Sequence, residues 1–162
     1  MRIDDELYEL AERVGQALLA RRQLLATAES CTGGLVAGAI TAVAGSSAWF
    51  ERGFVTYTNE AKSELLGLPK ATLEGFGAVS IQTAECMSQG ALAFSRAQWS
   101  VAVTGIAGPS GGSPEKPVGT VCFAWSGPFG LRSERRQLGG DRAEVRRESV
   151  RIALAGLVEL LV

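Results

Sequence analysis

The sequence contains no histidine. This absence excludes Ser-His and Cys-His catalytic pairs, as well as any metal site built on imidazole. Aspartate is nearly as rare and occurs only at Asp4, Asp5 and Asp141. So few aspartates argue against a carboxylate-rich magnesium or calcium site, and we expect neither a bound metal nor a cofactor. Lysine is confined to Lys62, Lys70 and Lys116, which leaves few side-chain bases for a serine nucleophile.

The sequence also lacks long apolar runs, a signal-peptide pattern and a strong excess of either charge. Its 16 basic and 17 acidic residues give a net charge of −1, too small to attract nucleic acid or an acidic membrane. The cysteines, Cys31, Cys86 and Cys122, are odd in number, widely spaced and without a C-x-x-C motif. They indicate reduced thiols and not a disulfide or zinc framework. We therefore expect a cytoplasmic protein with neither nucleic acid nor membrane as a partner.

With 162 residues, 46% of them apolar, the chain is long enough for one domain, residues 1–162. Strand and helix patterns mostly alternate along it, and a hairpin comes late. This order predicts a three-layer α/β/α fold on a mixed sheet of about five strands. An isologous homodimer is the default expectation for its assembly.

Apolar spacing and turn residues place the elements. The first predicted helix runs from about Asp5 to Arg22, and its apolar face begins at Ile3. A second helix starts at Leu35 and ends at Gly45-Ser46-Ser47, and a short third helix over Glu60–Leu66 is capped by Asn59. A further helix is capped by Ser80, and the last runs from Arg142 to about Leu161 and is capped by Asp141. The predicted strands are Leu24–Thr27, Arg52–Thr58, a central Val101–Val103, and a hairpin of Val118–Trp125 and Leu131–Leu138. A loop is expected around Gly75 and Gly77.

The stretch from Ala28 to Gly34 stands out because it predicts a buried strand, a tight polar turn and a packed helix in succession. This arrangement presents the Ser30 hydroxyl and the Cys31 thiol at a helix N-terminus. Free amides and the helix dipole there favour an oxyanion, a phosphate or a thiolate. The alternative is that Ser30 or Thr32 only caps the helix, as such residues commonly do.

Lys62 falls in the first turn of the predicted short helix, where the dipole disfavours a cation. Partial burial would lower its pKa further and free the amine as a base, whereas an exposed Lys62 would have no such role. The chemically complete option without histidine is a Ser-Lys hydrolase. In it Ser30 attacks, neutral Lys62 takes the proton, and turn amides from Thr32 to Gly34 hold the oxyanion. Cys31, acidified by the same helix end, is the rival nucleophile.

Two further regions have features of a ligand site. The glycine-rich loop from Thr104 to Pro117 follows the central strand but matches neither the Walker A nor the dinucleotide-binding pattern. The sequence leaves three roles open for this loop: a flexible lid, a rigid wall facing a ligand, or an ordinary crossover loop. Arg142 begins the last helix, which is unfavourable for a cation unless an anion such as a phosphate binds there.

Several motifs occur together and in order: T-A-E-S-C-T-G-G at 27–34, F-V-T-Y-T-N-E-A-K at 54–62, G-A-V-S at 77–80, T-G-I-A-G-P at 104–109 and G-G-S-P-E-K-P-V-G-T-V at 111–121. On these motifs, over roughly Leu24 to Val150, the chain resembles the CinA C-terminal domain family, also known as PncC-type nicotinamide-nucleotide amidases. The resemblance implies hydrolysis of the carboxamide of nicotinamide mononucleotide to nicotinate mononucleotide and ammonia in pyridine-nucleotide recycling. It also implies a Ser-Lys pair, which falls on Ser30 and Lys62.

That substrate gives further residues expected roles. Tyr57 would lie against the cationic pyridinium or bond the amide, although strand tyrosines are as often packing residues. Thr104 and Gly105 lie at the end of the central strand, where α/β sheets bind ligands. Arg142, and less securely Arg146, would bind the phosphate. Thr32, Gly33 and Gly34 complete the expected substrate-binding set, and the sequence leaves open whether Glu29 orients Lys62 or bonds a neighbouring backbone group.

Two other functions stay open on the sequence. One is a non-catalytic module that binds a nucleotide or a partner protein through the same glycine-rich cleft. The other is an amidase that acts on a different phosphorylated or cationic amide.

Overall fold

The computed structural model describes residues 4–162, so Ile3 lies outside the described part of the chain. Its centre is a five-stranded sheet in the order β2-β1-β3-β4-β5. The strands are β1 (Leu25–Glu29), β2 (Phe50–Val55), β3 (Trp99–Gly105), β4 (Thr120–Gly127) and β5 (Gly130–Gln137). β1 pairs in parallel with both β2 and β3, whereas β4 is antiparallel to β3 and β5. The mixed sheet of about five strands and the central position of β3 are thus confirmed.

Helices cover both faces of the sheet, which confirms the three-layer architecture. They are α1 (Asp5–Arg21), α2 (Leu35–Thr41), α3 (Asn59–Leu66), α4 (Lys70–Phe76), α5 (Ile81–Ala93) and α6 (Arg142–Leu161), with a 3₁₀ turn at Ser46–Ala48. α1, α2 and α6 pack on one face, and α3, α4 and α5 on the other. None of the helices within residues 4–162 is long and apolar enough to cross a membrane.

The two faces of the sheet differ in side-chain size because neighbouring strand residues point to opposite sides. On β3, Val101 and Val103 face α1, α2 and α6, while Ala102 faces α5. On β4, Phe123 and Trp125 join the first face, and Cys122 joins the second. Small residues on the second face let α5 approach the sheet closely.

Three local predictions are corrected by the structure. The second helix ends at Thr41, before Gly45. Asn59 is the first residue of α3, and its cap is Thr58, whose hydroxyl accepts the Ala61 amide at 3.1 Å. The segment before Gly77 is the helix α4 and not a loop, with Pro69 preceding its first residue. Gly75 near the end of that helix gives a weak helical signal, so sequence spacing alone missed it.

The parallel strands all end at one edge of the sheet. The last residues of β1, β2 and β3 are Glu29, Val55 and Gly105. The segments that follow them therefore meet where open α/β sheets bind ligands. α6 begins beside this edge, since the Arg142 side chain reaches the carbonyl of Gly108.

Candidate active site

Ser30 and Lys62 meet at this edge of the sheet. Ser30 follows β1 directly, Lys62 projects from the first turn of α3, and Lys62 Nζ lies 3.0 Å from Ser30 Oγ. Nζ also donates to the carbonyl oxygens of Thr56 at 3.1 Å and Tyr57 at 3.3 Å. The strand order explains the contact, because β1 and β2 are neighbours and both side chains lie just beyond their ends.

Lys62 is almost completely buried, with 1% of its surface exposed. Burial disfavours the ammonium form and lowers the pKa of Lys62 from the ordinary value of 10.5. The carbonyls of Thr56 and Tyr57 can take both N–H groups of a neutral amine, which leaves the nitrogen lone pair directed at Ser30. This arrangement suits an amine that accepts the hydroxyl proton of the serine.

Gly34 is the N-cap residue of α2, and the carboxylate of Glu29, not a side chain of Ser30 or Thr32, accepts the amides of its first turn. The buried Glu29 carboxylate accepts the Thr32 hydroxyl at 2.6 Å and the amides of Val36 and Ala37 at 2.8 and 3.0 Å. The capping role considered for Ser30 and Thr32 is therefore wrong. The open question about Glu29 is also answered, because its carboxylate bonds neighbouring groups of the turn and the helix. The α2 amides that sequence analysis offered to an oxyanion are already used by this carboxylate.

Gly33 and Gly34 give the turn its shape. Both have positive φ, 57° and 103°, a conformation that favours glycine over residues with a Cβ. The Gly33 amide donates to the Ser30 carbonyl at 3.0 Å and closes the turn. Thr32, Gly33 and Gly34 are not among the residues that line the cavity beside Ser30, so the Thr32 side chain is not placed against a ligand there.

Cys31 is not an acidified thiol. It is buried, and burial raises the pKa of this thiol to about 12, with the nearby Glu29 adding to the effect. A thiol that stays protonated at neutral pH is a poor nucleophile. The expectation that the helix end acidifies Cys31 is therefore wrong, because burial outweighs the helix dipole and the first-turn amides of α2 already bond the Glu29 carboxylate.

A cavity of about 260 Å³ opens over the Ser30–Lys62 pair. Its wall contains Tyr57, Thr104, Gly105 and Arg142. The Thr104 hydroxyl donates to the Ala78 carbonyl at 2.7 Å and joins β3 to the segment before α5. A Cβ on Gly105 would lie 2.7 Å from the Val121 side chain, so this position has no room for a larger residue. The lining formed by the described residues contains no carboxylate.

The side chains of Tyr57 and Arg142 contact each other at one side of the cavity. Arg142 Nη1 donates to the Gly108 carbonyl at 2.9 Å and Nη2 donates to the Tyr57 hydroxyl at 3.1 Å. Tyr57 is 59% exposed, which argues against the packing role that a strand tyrosine often has. Its ring and the Arg142 guanidinium are thus presented to a molecule that enters the cavity.

Arg146 lies on the other side of the turn. Its Nε donates to the Cys31 carbonyl at 3.1 Å and its Nη2 to the Thr32 carbonyl at 3.4 Å. It lines a separate groove between α1, α2 and α6 and does not line the cavity over Ser30. The geometry therefore separates the two arginines that sequence analysis placed together on a phosphate.

Sequence analysis missed several parts of the cavity. Ala78 and Val79 line it, although their motif at 77–80 was noted only for the family resemblance and for the cap at Ser80. Asn59, interpreted as a helix cap, and Ser110 in the glycine-rich loop also face it. The carbonyls of Thr56 and Tyr57 could not be found from residue types, because every residue has a carbonyl.

Larger depressions elsewhere lack comparable chemistry. One of about 520 Å³ lies between α3 and α4 and is lined mainly by charged side chains, and one of about 480 Å³ is the groove beside Arg146. Neither holds a nucleophile paired with a base. No group of histidine, cysteine, aspartate or glutamate side chains within residues 4–162 could hold a metal ion.

Known proteins resemble this chain over nearly its whole length. The family profile described as the CinA C-terminal domain matches residues 7–161. A nicotinamide-nucleotide amidohydrolase, PncC, from Escherichia coli K12 is 55% identical over 155 residues, which cover 95% of this chain and 94% of that protein. The protein of the same name from Pseudomonas putida is 53% identical over 156 residues, 96% of this chain and 98% of its own.

Solved structures agree with the sequence matches. The crystal structure of the competence/damage inducible protein CihA from Agrobacterium tumefaciens superposes with a TM-score of 0.96 at 50% identity. The match covers 99% of this chain and 98% of that one.

Proposed function

Because this chain belongs to the CinA C-terminal domain family, we propose that it is an amidohydrolase acting on nicotinamide mononucleotide, with Ser30 as nucleophile and Lys62 as base. The products are nicotinate mononucleotide and ammonia. The observation that carries the mechanism is the 3.0 Å contact between Lys62 Nζ and Ser30 Oγ in a buried setting. The relatives named as PncC amidohydrolases support the substrate.

In the first half of the reaction, neutral Lys62 accepts the hydroxyl proton as Ser30 Oγ bonds to the carboxamide carbon. The carbonyl oxygen becomes an oxyanion. Lys62, now an ammonium, gives its proton to the amide nitrogen, and the C–N bond breaks to release ammonia. Ser30 is left as an ester of the nicotinate group.

In the second half, Lys62 takes a proton from water as the water oxygen attacks the ester. The tetrahedral intermediate collapses, the bond to Ser30 Oγ breaks, and the proton returns to Oγ. Burial of Lys62 serves both halves, because a lowered pKa increases the fraction of neutral amine and makes the ammonium a stronger acid.

Backbone amides next to the nucleophile supply the oxyanion donors in this proposal. Within residues 4–162, no other residue accepts a hydrogen bond from the amide of Cys31 or of Thr32. Cys31 also lines the cavity. Unpaired amides beside a nucleophile are typical donors for a developing negative charge.

Tyr57 and Arg142 hold the rest of the substrate. The exposed Tyr57 ring can lie against the cationic pyridinium, and Arg142 can exchange its contacts with Tyr57 and Gly108 for the phosphate. Because the cavity lining has a guanidinium and no carboxylate, its charge favours the phosphorylated substrate over the cationic riboside. We place the reaction in the cytoplasm, with a homodimer as the expected assembly and no nucleic acid as partner.

Substitution at the dyad tests this function. Ser30→Ala and Lys62→Met should each lower kcat for ammonia release from nicotinamide mononucleotide by about 1,000-fold or more, with far-UV circular dichroism unchanged. Cys31→Ala is the matched control, because it removes the thiol beside Ser30 and should keep turnover.

An active Ser30→Ala variant would overturn the proposed nucleophile. A folded wild-type protein that binds the nucleotide without releasing ammonia would instead indicate the non-catalytic module. Release of ammonia from another amide alone would correct the substrate.

A further inference from the structure

Within residues 4–162, the Arg146 side chain bonds backbone carbonyls and forms no ion pair with a carboxylate. Its guanidinium donates to the carbonyls of Cys31 and Thr32, the two residues that follow Ser30. The adjacent Arg147 differs, since it forms ion pairs with Asp4 at 2.7 Å and Glu6 at 2.8 Å. Arg146 comes from α6, more than 100 residues away in sequence, so this contact ties a distant helix to the nucleophile turn.

The contact determines which way the following amide faces. In a trans peptide the carbonyl and the N–H of the next residue point in opposite directions. Because the Cys31 carbonyl points at Arg146, the Thr32 amide points away from it. The Ser30 carbonyl accepts the Gly33 amide at 3.0 Å, so the Cys31 amide likewise points away from the interior of the turn.

The turn after Ser30 is therefore bonded by two side chains of opposite charge. Glu29 holds the Thr32 hydroxyl, and Arg146 holds the Cys31 and Thr32 carbonyls. Arg146 fixes the peptide between Cys31 and Thr32, and the Gly33 amide fixes the peptide between Ser30 and Cys31. No other residue in the described part of the chain accepts the amides of Cys31 and Thr32. Donors that are held in place and unpaired need no rearrangement when charge develops.

We propose that Arg146 is a positioning residue for catalysis: by holding the Cys31 carbonyl it fixes the following peptide, so that the Thr32 amide points away from α6 and can donate to the oxyanion. It does not touch the substrate. This inference rests on the proposed amidase function and gives Arg146 a role different from the phosphate contact that its position beside Arg142 first indicated.

The test compares three arginines of the same helix. Arg146→Ala should lower kcat about 100-fold while KM for nicotinamide mononucleotide stays nearly constant, because misplaced donors affect the transition state and not binding. Arg142→Ala should instead raise KM for nicotinamide mononucleotide but not for its riboside. Arg147→Ala, which removes the same charge from the surface, should change neither constant.

Added guanidinium ion, far below concentrations that unfold proteins, should restore part of kcat in Arg146→Ala but not in Arg142→Ala. Arg146→Met keeps the apolar stem in the groove and serves if the alanine variant unfolds. An unchanged kcat in both Arg146 variants, or a rise in KM for the nucleotide alone, would overturn the inference.

A second readout separates this inference from the choice of substrate. A fluorophosphonate forms a bond between phosphorus and Ser30 Oγ, releases fluoride, and places its phosphoryl oxygen where the oxyanion would lie. Intact-mass spectrometry should show slower labelling of Arg146→Met than of the wild type. If the wild type is labelled but releases no ammonia, the proposed substrate fails and the labelling rates still test Arg146. Equal labelling rates, or no labelling of the wild type, would overturn the positioning role.

Discussion

At the scale of single residues, the site depends on a lysine whose charge is costly. Lys62 is buried, and among the described residues its Nζ contacts two backbone carbonyls and a hydroxyl but no carboxylate. A buried ammonium without a counter-ion is destabilised relative to the neutral amine, which is why the pKa of Lys62 is lowered. The same burial has the opposite sign for Cys31, because there the charged form is the anion, so the pKa is raised.

The lowered pKa of Lys62 predicts the pH dependence of turnover. Protonated Lys62 cannot accept the Ser30 proton, so kcat/KM should increase as pH rises through the pKa of Lys62 and then level off. The midpoint of this rise should lie below the ordinary lysine pKa of 10.5. Initial rates of ammonia release between about pH 6 and pH 10 would measure this limb.

Lys62→Arg is the matched control for the pH profile, since arginine stays protonated throughout this range and should be inactive at every pH. A wild-type rate that falls with rising pH, or that rises only near 10.5, would contradict a buried neutral lysine as base.

At the scale of elements, two helices pack closely against tryptophan rings at glycine positions. A Cβ on Gly156 of α6 would lie 2.4 Å from the Trp125 ring, and one on Gly15 of α1 would lie 2.5 Å from Trp49. The Trp125 indole also donates to the Ala153 carbonyl at 3.0 Å, so the ring cannot move without losing that bond. These glycines are therefore packing positions, although glycine is unfavourable inside a helix.

Gly156→Ala should consequently destabilise the protein. Alanine gains about 1 kcal/mol of helix propensity, but overpacking against Trp125 costs about 1–3 kcal/mol, and the clash should dominate. Gly38→Ala in α2 is the control, because a Cβ there meets nothing within 4 Å. It should stabilise the protein by about 0.5–1 kcal/mol. Urea titrations of both variants would measure the changes in the free energy of unfolding. A Gly156→Ala variant more stable than the wild type would show that the Trp125 ring can move aside.

An element could be predicted from the sequence where its own residues include an apolar run or a capping residue that marks its bounds. Central β3 and the capped α6 are bounded by apolar runs and a capping aspartate, and both were predicted. α4 was missed because it is short and contains Gly75. In the site, the pairing of Ser30 with Lys62 was reached by elimination and by resemblance, whereas the contacts of Arg146 end on carbonyls of distant residues. Such contacts depend on the tertiary fold and have no local pattern.

At the scale of the whole molecule, the site lies where three parallel strands end and four segments converge. The nucleophile follows β1, the base lies beyond β2, the glycine-rich loop follows β3, and Arg142 begins α6. Both apolar layers support this edge, because neighbouring residues of the same strand, such as Val101 and Ala102, belong to opposite layers. Exposing the apolar residues of either layer to water would therefore disrupt strands whose other residues belong to the opposite layer.

This shared sheet predicts that residues 1–162 unfold as one cooperative unit, in keeping with the single domain expected from length. Trp49 and Trp125 report on the layer of α1, α2 and α6, while slowly exchanging amides of α5 report on the other. Denaturation followed by tryptophan fluorescence and by far-UV circular dichroism should give coincident midpoints. Native-state hydrogen exchange should give the same opening free energy for α5 and α6. Separate midpoints, or an α5 that opens well before α6, would show that the layers are independent and that the edge holding Ser30 and Lys62 is supported from one side only.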